Sequence, residues 1–215
     1  ECVLVWHSQP SDDNGTDMRA VCSTLLPDYP IIFTYDNGGV MDDEKMNFLY
    51  NSCDVYINMA SNEGFGLGSC EMLHTGGVIV VNVTGGLQDQ CGFKKEDGTY
   101  LTAEDYVELK SNHRGTYKEH GEWVKPVFPS NISCQGSPLT PYIFDDRCSF
   151  EDAGEALLEW YNKGSKILIP HLKNGNQEQN IQWRLFNEKI NVNMCTCIIT
   201  KWIWSSLERF SSFFY

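Results

Sequence analysis

Val55-Tyr-Ile-Asn-Met-Ala60, then Glu63-Gly-Phe-Gly-Leu-Gly-Ser-Cys-Glu71, then Val78-Ile-Val-Val-Asn-Val83 with Gly85-Gly86 behind it, decide how this chain folds. Two continuously apolar runs flank a glycine-rich stretch that opens a short helix, Leu67 to His74, stopped by Gly76-Gly77. Runs that do not alternate are buried on both faces, which is the pattern of a parallel sheet covered by helices. Each glycine stretch follows the carboxyl end of a strand, where open α/β sheets bind their ligands. Glycine lets backbone N–H groups approach an anion, and the helix N-terminus adds a favourable dipole. Glu63 and Glu71 are less expected beside a phosphate. As acceptors they suit the hydroxyl groups of a sugar or a ribose. The ligand implied is both polyhydroxyl and phosphorylated.

Working outward, the first hundred residues keep alternating strand and helix signals. Val3 to His7 and Tyr29 to Tyr35 read as strands, the second closed by Asp36-Asn-Gly-Gly39. Asp17 to Leu26 has helical spacing (Met18, Val21, Cys22, Leu25) and stops at Pro27; Asp42 or Asp43 caps a helix carrying Met46, Phe48, Leu49 and Cys53. The fold class is therefore α/β, a Rossmann-like doubly wound parallel sheet. Residues 88–148, with polar turns and several prolines, read as an irregular excursion or lid with a little helix at Ala103 to Lys110. Ser149 caps a helix whose Phe150, Ala153, Leu157 and Trp160 share a face, ended by Gly164. A last helical segment is expected from Asn193 to Phe214, with Ile199, Ile203, Leu207, Phe210 and Phe214 as its stripe. The division is a Rossmann-like domain over 1–165 and a C-terminal helical segment over 166–215.

At 215 residues, with 41% hydrophobic content, the chain has ample length for a packed core. Sixteen basic against twenty-nine acidic residues give a net charge of −13, which argues against nucleic acid and anionic lipid as partners. Nine cysteines at irregular spacing, with Cys195-Thr-Cys197 the one close pair, do not form a zinc framework and read as reduced thiols of a cytoplasmic protein. The sequons at Asn14, Asn82 and Asn131 matter only in a secretory compartment, and Asn82 sits in or at the end of a buried strand. No apolar run is long enough to span a bilayer. The start at Glu1, almost directly on a strand, reads as a cut with part of a larger protein upstream. Asp12-Asp13 and Asp42-Asp43-Glu44 read as solvated turns and caps rather than cation ligands, and His74, His113 and His120 as surface or lid residues. His7 ends a strand on the ligand rim, more a satisfied strand-terminal histidine than a ligand contact.

The segment from Leu49 to Gly86 resembles the signature of group 1 (family 4) retaining glycosyltransferases, in the C-terminal, donor-binding half of the GT-B fold. The mark is two glutamates separated by seven residues around Gly64-Phe-Gly-Leu67, followed by a helix, a strand and a Gly-Gly turn. Gly76-Gly77 stands before Val78 where the family pattern has Gly-x-Pro, a small departure. The texture of Tyr35 to Asp43 and Gly85 to Gln90 is similar to viral or environmental members.

The resemblance implies roles. Glu63 is the catalytic position, contacting hydroxyls of the transferred sugar and stabilising charge as the donor ionises. Gly64, Phe65, Gly66 and Leu67 present N–H groups to the sugar and diphosphate, and Glu71 accepts from the ribose hydroxyls. Val40 lies against the nucleobase, and Gly85 and Gly86 line the rim. The donor expected is a UDP-, GDP- or ADP-sugar, with a glycan, lipid or protein acceptor, no cofactor and no obligatory metal. Reaction at the front face ranks above a double displacement on Glu63. Family members also supply an Arg and a Lys to the diphosphate and an N-terminal acceptor domain. No residue here is assignable to that Arg and Lys; Arg19, Lys94 and Lys95 lack motif support. The expected function is a donor-binding glycosyltransferase fragment, inactive alone, whose C-terminal segment packs on the missing N-terminal domain. The alternatives are a non-catalytic sugar-nucleotide-binding or scaffolding module and, more weakly, another enzyme class on this fold, such as a sugar-nucleotide epimerase.

Overall fold

The computed structural model describes residues 2–11, 17–37, 39–102, 105, 116–137, 140–163 and 195–200. They form a mixed α/β domain with one parallel sheet flanked by helices. Strand β1 (Cys2–His7) leads through α1 (Met18–Leu25) to β2 (Ile31–Phe33), and α2 (Asp43–Asn51) leads to β3 (Val55–Asn58). Then follow α3 (Leu67–His74), β4 (Val78–Asn82), the single turn α4 (Leu87–Gln90) and β5 (Val124–Val127). A hairpin, β6 (Asn131–Ser137) and β7 (Thr140–Arg147), precedes α5 (Phe150–Lys163), and β8 (Cys195–Thr200) comes last.

Local chemistry starts the helices where the caps predict. Asp17 accepts from the N–H groups of Arg19 and Ala20 at 3.0 and 3.1 Å, and Asp42 accepts from Lys45 N–H at 2.9 Å. Each satisfies donors that a helix start leaves without a partner. Ser149 takes the N–H of Asp152 at 3.2 Å at the head of α5.

The sheet order is β2-β1-β8-β3-β4-β5, with every pair parallel. This is the doubly wound 3-2-1-4-5-6 order with its inner place, normally held by the first strand, taken by β8, the last of the described strands. The order reverses at β8, so the crevice at the carboxyl ends of β1, β8 and β3 is the topological switch point. Alternate strand residues serve opposite faces. Val3, Val5, Tyr56, Ile79 and Val81 pack with Leu49 and Tyr50 of α2 and Met72 of α3. Val55, Ile57, Val78 and Val80 pack with Ala156 and Trp160 of α5. Trp6 closes a third cluster with Met18 and Cys22 of α1.

Three expectations change. Tyr29 to Tyr35 shortens to β2 followed by a 3₁₀ turn, Thr34–Asn37, as fits an edge strand whose far side has no neighbour. The excursion at 88–148 holds a strand of the main sheet, β5, and a hairpin of its own. Val124-Lys-Pro-Val127 was too short and too interrupted to read as a strand; Pro126 fits because β5 lies at the sheet edge. The helix expected from Asn193 is a strand at Cys195–Thr200, in line with its β-branched Thr196, Ile198, Ile199 and Thr200. Ile199 therefore belongs to the sheet, while Ile203, Leu207, Phe210 and Phe214 lie outside the described residues, as does nearly all of the helix expected at Ala103 to Lys110. On α5, Ala153, Leu157 and Trp160 face the core as expected, but Phe150 at the first turn is exposed.

Among the described residues no helix is long and apolar enough to cross a membrane, and Cys2, Cys22, Cys53, Cys70, Cys91, Cys134 and Cys148 are outside any disulfide. The α5 face rests on Trp160, 3% exposed, whose indole N–H donates to the Ile79 carbonyl at 3.3 Å. Trp160→Ala is expected to cost about 3–5 kcal/mol, and Trp160→Phe much less, measured by urea unfolding.

Candidate functional site

The chain leaves β3 at Asn58 and turns sharply before α3. Most carbonyls of this turn are held from the end of β4, the segment after it and the foot of the β6–β7 hairpin. Ala60 C=O accepts from Asn82 Nδ2 at 2.8 Å, and Ser61 C=O from the Asp146 N–H at 3.0 Å. Glu63 C=O accepts from Gly86 N–H at 2.9 Å, and Gly66 C=O from Gln90 Nε2 at 3.1 Å. Gln90 also donates to the Phe65 carbonyl. The two turns touch so closely that a Cβ on Gly85, at φ 46°, would lie 2.0 Å from the Glu63 carbonyl oxygen. One on Gly86 would lie 2.3 Å from that of Gly64. The spacing of Gly85-Gly86 is thus a packing requirement of the turn before α3.

A peptide whose carbonyls turn inward presents its N–H groups the other way. Among the described residues, the N–H groups of Gly64, Gly66, Leu67 and Gly68 meet no acceptor. Gly66, the N-cap of α3, is left-handed at φ 86° and brings no side chain to cap the helix. The result is a row of donors continuous with an uncapped helix start, which is how proteins hold anions. No Lys or Arg occurs in 58–68 or 82–92, so within these two turns the attraction for an anion is that of amides and the α3 dipole.

Glu63 lies at the bottom of this turn, 9% exposed. Its carboxylate has only long contacts: Asn58 Nδ2 at 3.5 Å and the Phe65 N–H at 3.4 Å. Such contacts leave acceptor capacity for the hydroxyl groups of a ligand. Glu71, about one turn along α3, is exposed, and its Oε2 accepts from the Tyr50 hydroxyl at 2.8 Å. Burial first, and then the bond to Glu71, raise the Tyr50 phenol well above the ordinary tyrosine range, so it stays a donor at working pH. Phe65 and Leu67 are exposed beside the turn, and Val40 stands 83% exposed on the loop after β2.

The fold thus brings Glu63 to Leu67, Gly85 and Gly86 into one unit, with Glu71 on the helix that leaves it. Of the cations considered, none lies in the glycine turns. Arg19 pairs with Asp36 and stacks on Phe33 at 4.8 Å, Lys94 lies 5.6 Å over Tyr100, and Lys95 pairs with Asp105 at 2.8 Å. Among the described residues no group of three His, Cys, Asp or Glu side chains is placed to hold a metal ion. Asn82 is fully buried with its amide donating to Ala60 and Asp146, so the folded chain offers that sequon no access.

Sequence reasoning missed the clasp under the site. Asp145 and Asp146, at the foot of the β6–β7 hairpin, are both 0% exposed. Asp146 Oδ2 accepts from Thr84 Oγ1 at 2.8 Å, its N–H donates to Ser61 C=O at 3.0 Å, and its own C=O takes Asn82 Nδ2 at 2.8 Å. Asp145 receives Asn62 and pairs with Arg147 at 3.5 Å, and Arg147 donates on to Ser133 at 2.9 Å. Nothing in the acidic dipeptide distinguishes a buried clasp from a solvated turn. Only the fold brings it to the ends of β3 and β4.

Comparison of the chain with protein-family models and with curated protein sequences finds no match.

Thr84→Val keeps the shape but takes one donor from a buried carboxylate. It is expected to cost about 1–3 kcal/mol in urea unfolding, with Thr84→Ser recovering most of the loss. His7, at the end of β1, contacts Thr34 Oγ1 through Nδ1 at 2.7 Å, and burial lowers its pKa from the ordinary 6.5. The unfolded chain therefore binds the proton more readily. Stability contributed by neutral His7 is complete above the unfolded value and is lost as pH falls through the folded one. Unfolding free energies between pH 7.5 and 5.0 should decline less steeply in His7→Gln than in the wild type.

Proposed function

We propose that the chain binds a nucleoside-diphosphate sugar and is the donor-binding domain of a retaining glycosyltransferase. The observation that carries this reading is the set of amides of Gly64, Gly66, Leu67 and Gly68, with the buried Glu63 in the same turn and Glu71 on the helix it opens. An anion on the amides places neighbouring hydroxyls within reach of carboxylates, and a sugar nucleotide has both groups in one molecule. The resemblance of Leu49 to Gly86 to the donor-binding half of the GT-B fold supports the same assignment.

In this reading the diphosphate rests on the N–H groups of Gly64, Gly66, Leu67 and Gly68, with Gly85 and Gly86 keeping the turn in place. Glu63 receives hydroxyls of the sugar and holds it against the diphosphate. Charge grows on the leaving diphosphate oxygen as the glycosidic bond breaks, and donors already aimed at that position lower the barrier without reorganising. The sugar develops positive character at the same moment, which the Glu63 carboxylate stabilises. Glu71 takes the ribose hydroxyls, and Val40 flanks the base. The acceptor, a glycan, lipid or protein, enters from a further domain at the open side.

A second reading keeps the binding and drops the transfer. It is favoured by the lack of Lys or Arg in either glycine turn and by the ion pairs that engage Arg19 and Lys95 elsewhere. A sugar-nucleotide-binding or scaffolding module needs no cation to stabilise a leaving group.

Thermal unfolding with UDP, GDP, ADP and their sugars tests the shared premise. One base at about one hundred times its Kd should stabilise the chain by about 2.7 kcal/mol, raising Tm by roughly 5–10 °C. Glu71→Ala should weaken every nucleotide about tenfold. Glu63→Gln should leave the bare diphosphate unaffected and lose the added affinity of the sugar. If no nucleotide shifts Tm, or Glu71→Ala changes nothing, the donor site is not here.

A further inference from the structure

We infer that Tyr50 is a positioning residue that sets the preference of the site for ribose over deoxyribose, by fixing the carboxylate of Glu71. The inference rests on the reading of Glu71 as the ribose contact. Glu71 lies on the outer side of α3 and is exposed, so by itself its side chain has several rotamers and no fixed direction. The Tyr50 hydroxyl removes that freedom, donating to Oε2 at 2.8 Å from a ring only 3% exposed at the end of α2. The ring is itself held, with its centroid 6.1 Å from that of Tyr56 in β3.

Gly68 shows how closely this support is fitted to the site. A Cβ there would meet the Tyr56 hydroxyl at 2.3 Å and the Tyr50 hydroxyl at 3.2 Å. Both phenols come up under the first turn of α3 because that residue has no side chain. The turn that offers amides and the acid four residues from its start are thus braced by the same pair of rings.

A ribose presents two adjacent hydroxyls, at the 2′ and 3′ carbons, and a carboxylate can receive both. With Oε2 tied to Tyr50, the carboxylate plane is set before the ligand arrives, and a ring lacking the 2′ hydroxyl leaves one prepared acceptor unmatched. Without the phenol, the carboxylate can turn to follow a single hydroxyl. The absolute affinity then falls for both rings, and the difference between them shrinks.

The test uses whichever of UDP, GDP and ADP binds the wild type tightest, together with its 2′-deoxy counterpart, by calorimetric titration. The wild type should prefer the ribose form about tenfold, and Tyr50→Phe should reduce that ratio to about twofold or less. In a Glu71→Ala background, Tyr50→Phe should have no further effect on the ratio, because the phenol acts through the carboxylate. Gly68→Ala, which presses on both phenols from above, should erode the same ratio. It serves in place of Tyr50→Phe if that variant does not fold. A preference kept intact in the folded variants overturns the inference and leaves the donor site standing. A wild type that binds nucleotides without preferring ribose overturns both the inference and the role of Glu71. A wild type that binds none overturns the donor site and the inference with it.

Discussion

Between Ala60 and Gly66 the backbone carbonyls turn toward the segment after β4, and most of what surrounds the site exists to hold them there. Asn82, Gly86, Gln90 and Asp146 each supply a hydrogen bond to this one turn. A peptide group cannot reverse its carbonyl without reversing its N–H. Satisfying the acceptors from the protein side therefore leaves the N–H groups of Gly64, Gly66, Leu67 and Gly68 without an acceptor among the described residues. A group of amides without partners is unfavourable in a dry interior and ordinary at a solvent-filled rim, which is where the switch point of the sheet puts it.

That arrangement draws on distant parts of the chain. The hairpin foot at Asp145 and Asp146 is more than eighty residues from Ser61, yet both carboxylates are wholly buried against the ends of β3 and β4. Burial of an acid is costly unless its lone pairs are met. Here Thr84, Asn62 and Arg147 meet them, and the strength of such bonds in a low dielectric makes the clasp rigid. The sheet adds a second long-range dependence. Its inner place between β1 and β3 is filled by Cys195–Thr200, the last of the described strands. The switch point thus forms only when both ends of the described chain are in register.

How much of this was legible in the sequence follows from the range of the forces involved. The helix starts at Asp17, Asp42 and Ser149 were readable because capping is local, and Leu67 to His74 was readable to the residue because glycines punctuate both its ends. Strands buried on both faces announced a parallel sheet. Strand β5 did not, because an edge position tolerates the lysine and proline that break the pattern. Cys195–Thr200 reads as helix because Ile199 falls in step with the apolar residues beyond it, while the strands it pairs with, β1 and β3, lie 193 and 142 residues back in the chain. The glycines and glutamates of the candidate site are marked in the sequence by their spacing. Tyr50, Gln90 and Asp146 are not, since side chains that support a turn from other elements carry no local signature.

We propose that a diphosphate rests on the amides of Gly64, Gly66, Leu67 and Gly68. An amide-resolved NMR titration of the nitrogen-15-labelled chain with a nucleoside-diphosphate sugar addresses it directly. The account predicts that the largest shifts fall on the N–H signals of Gly64, Gly66, Leu67 and Gly68, which move downfield as they gain an acceptor, with smaller changes at Gly85 and Gly86. Saturable shifts confined to other elements, with these four amides unmoved, would contradict it.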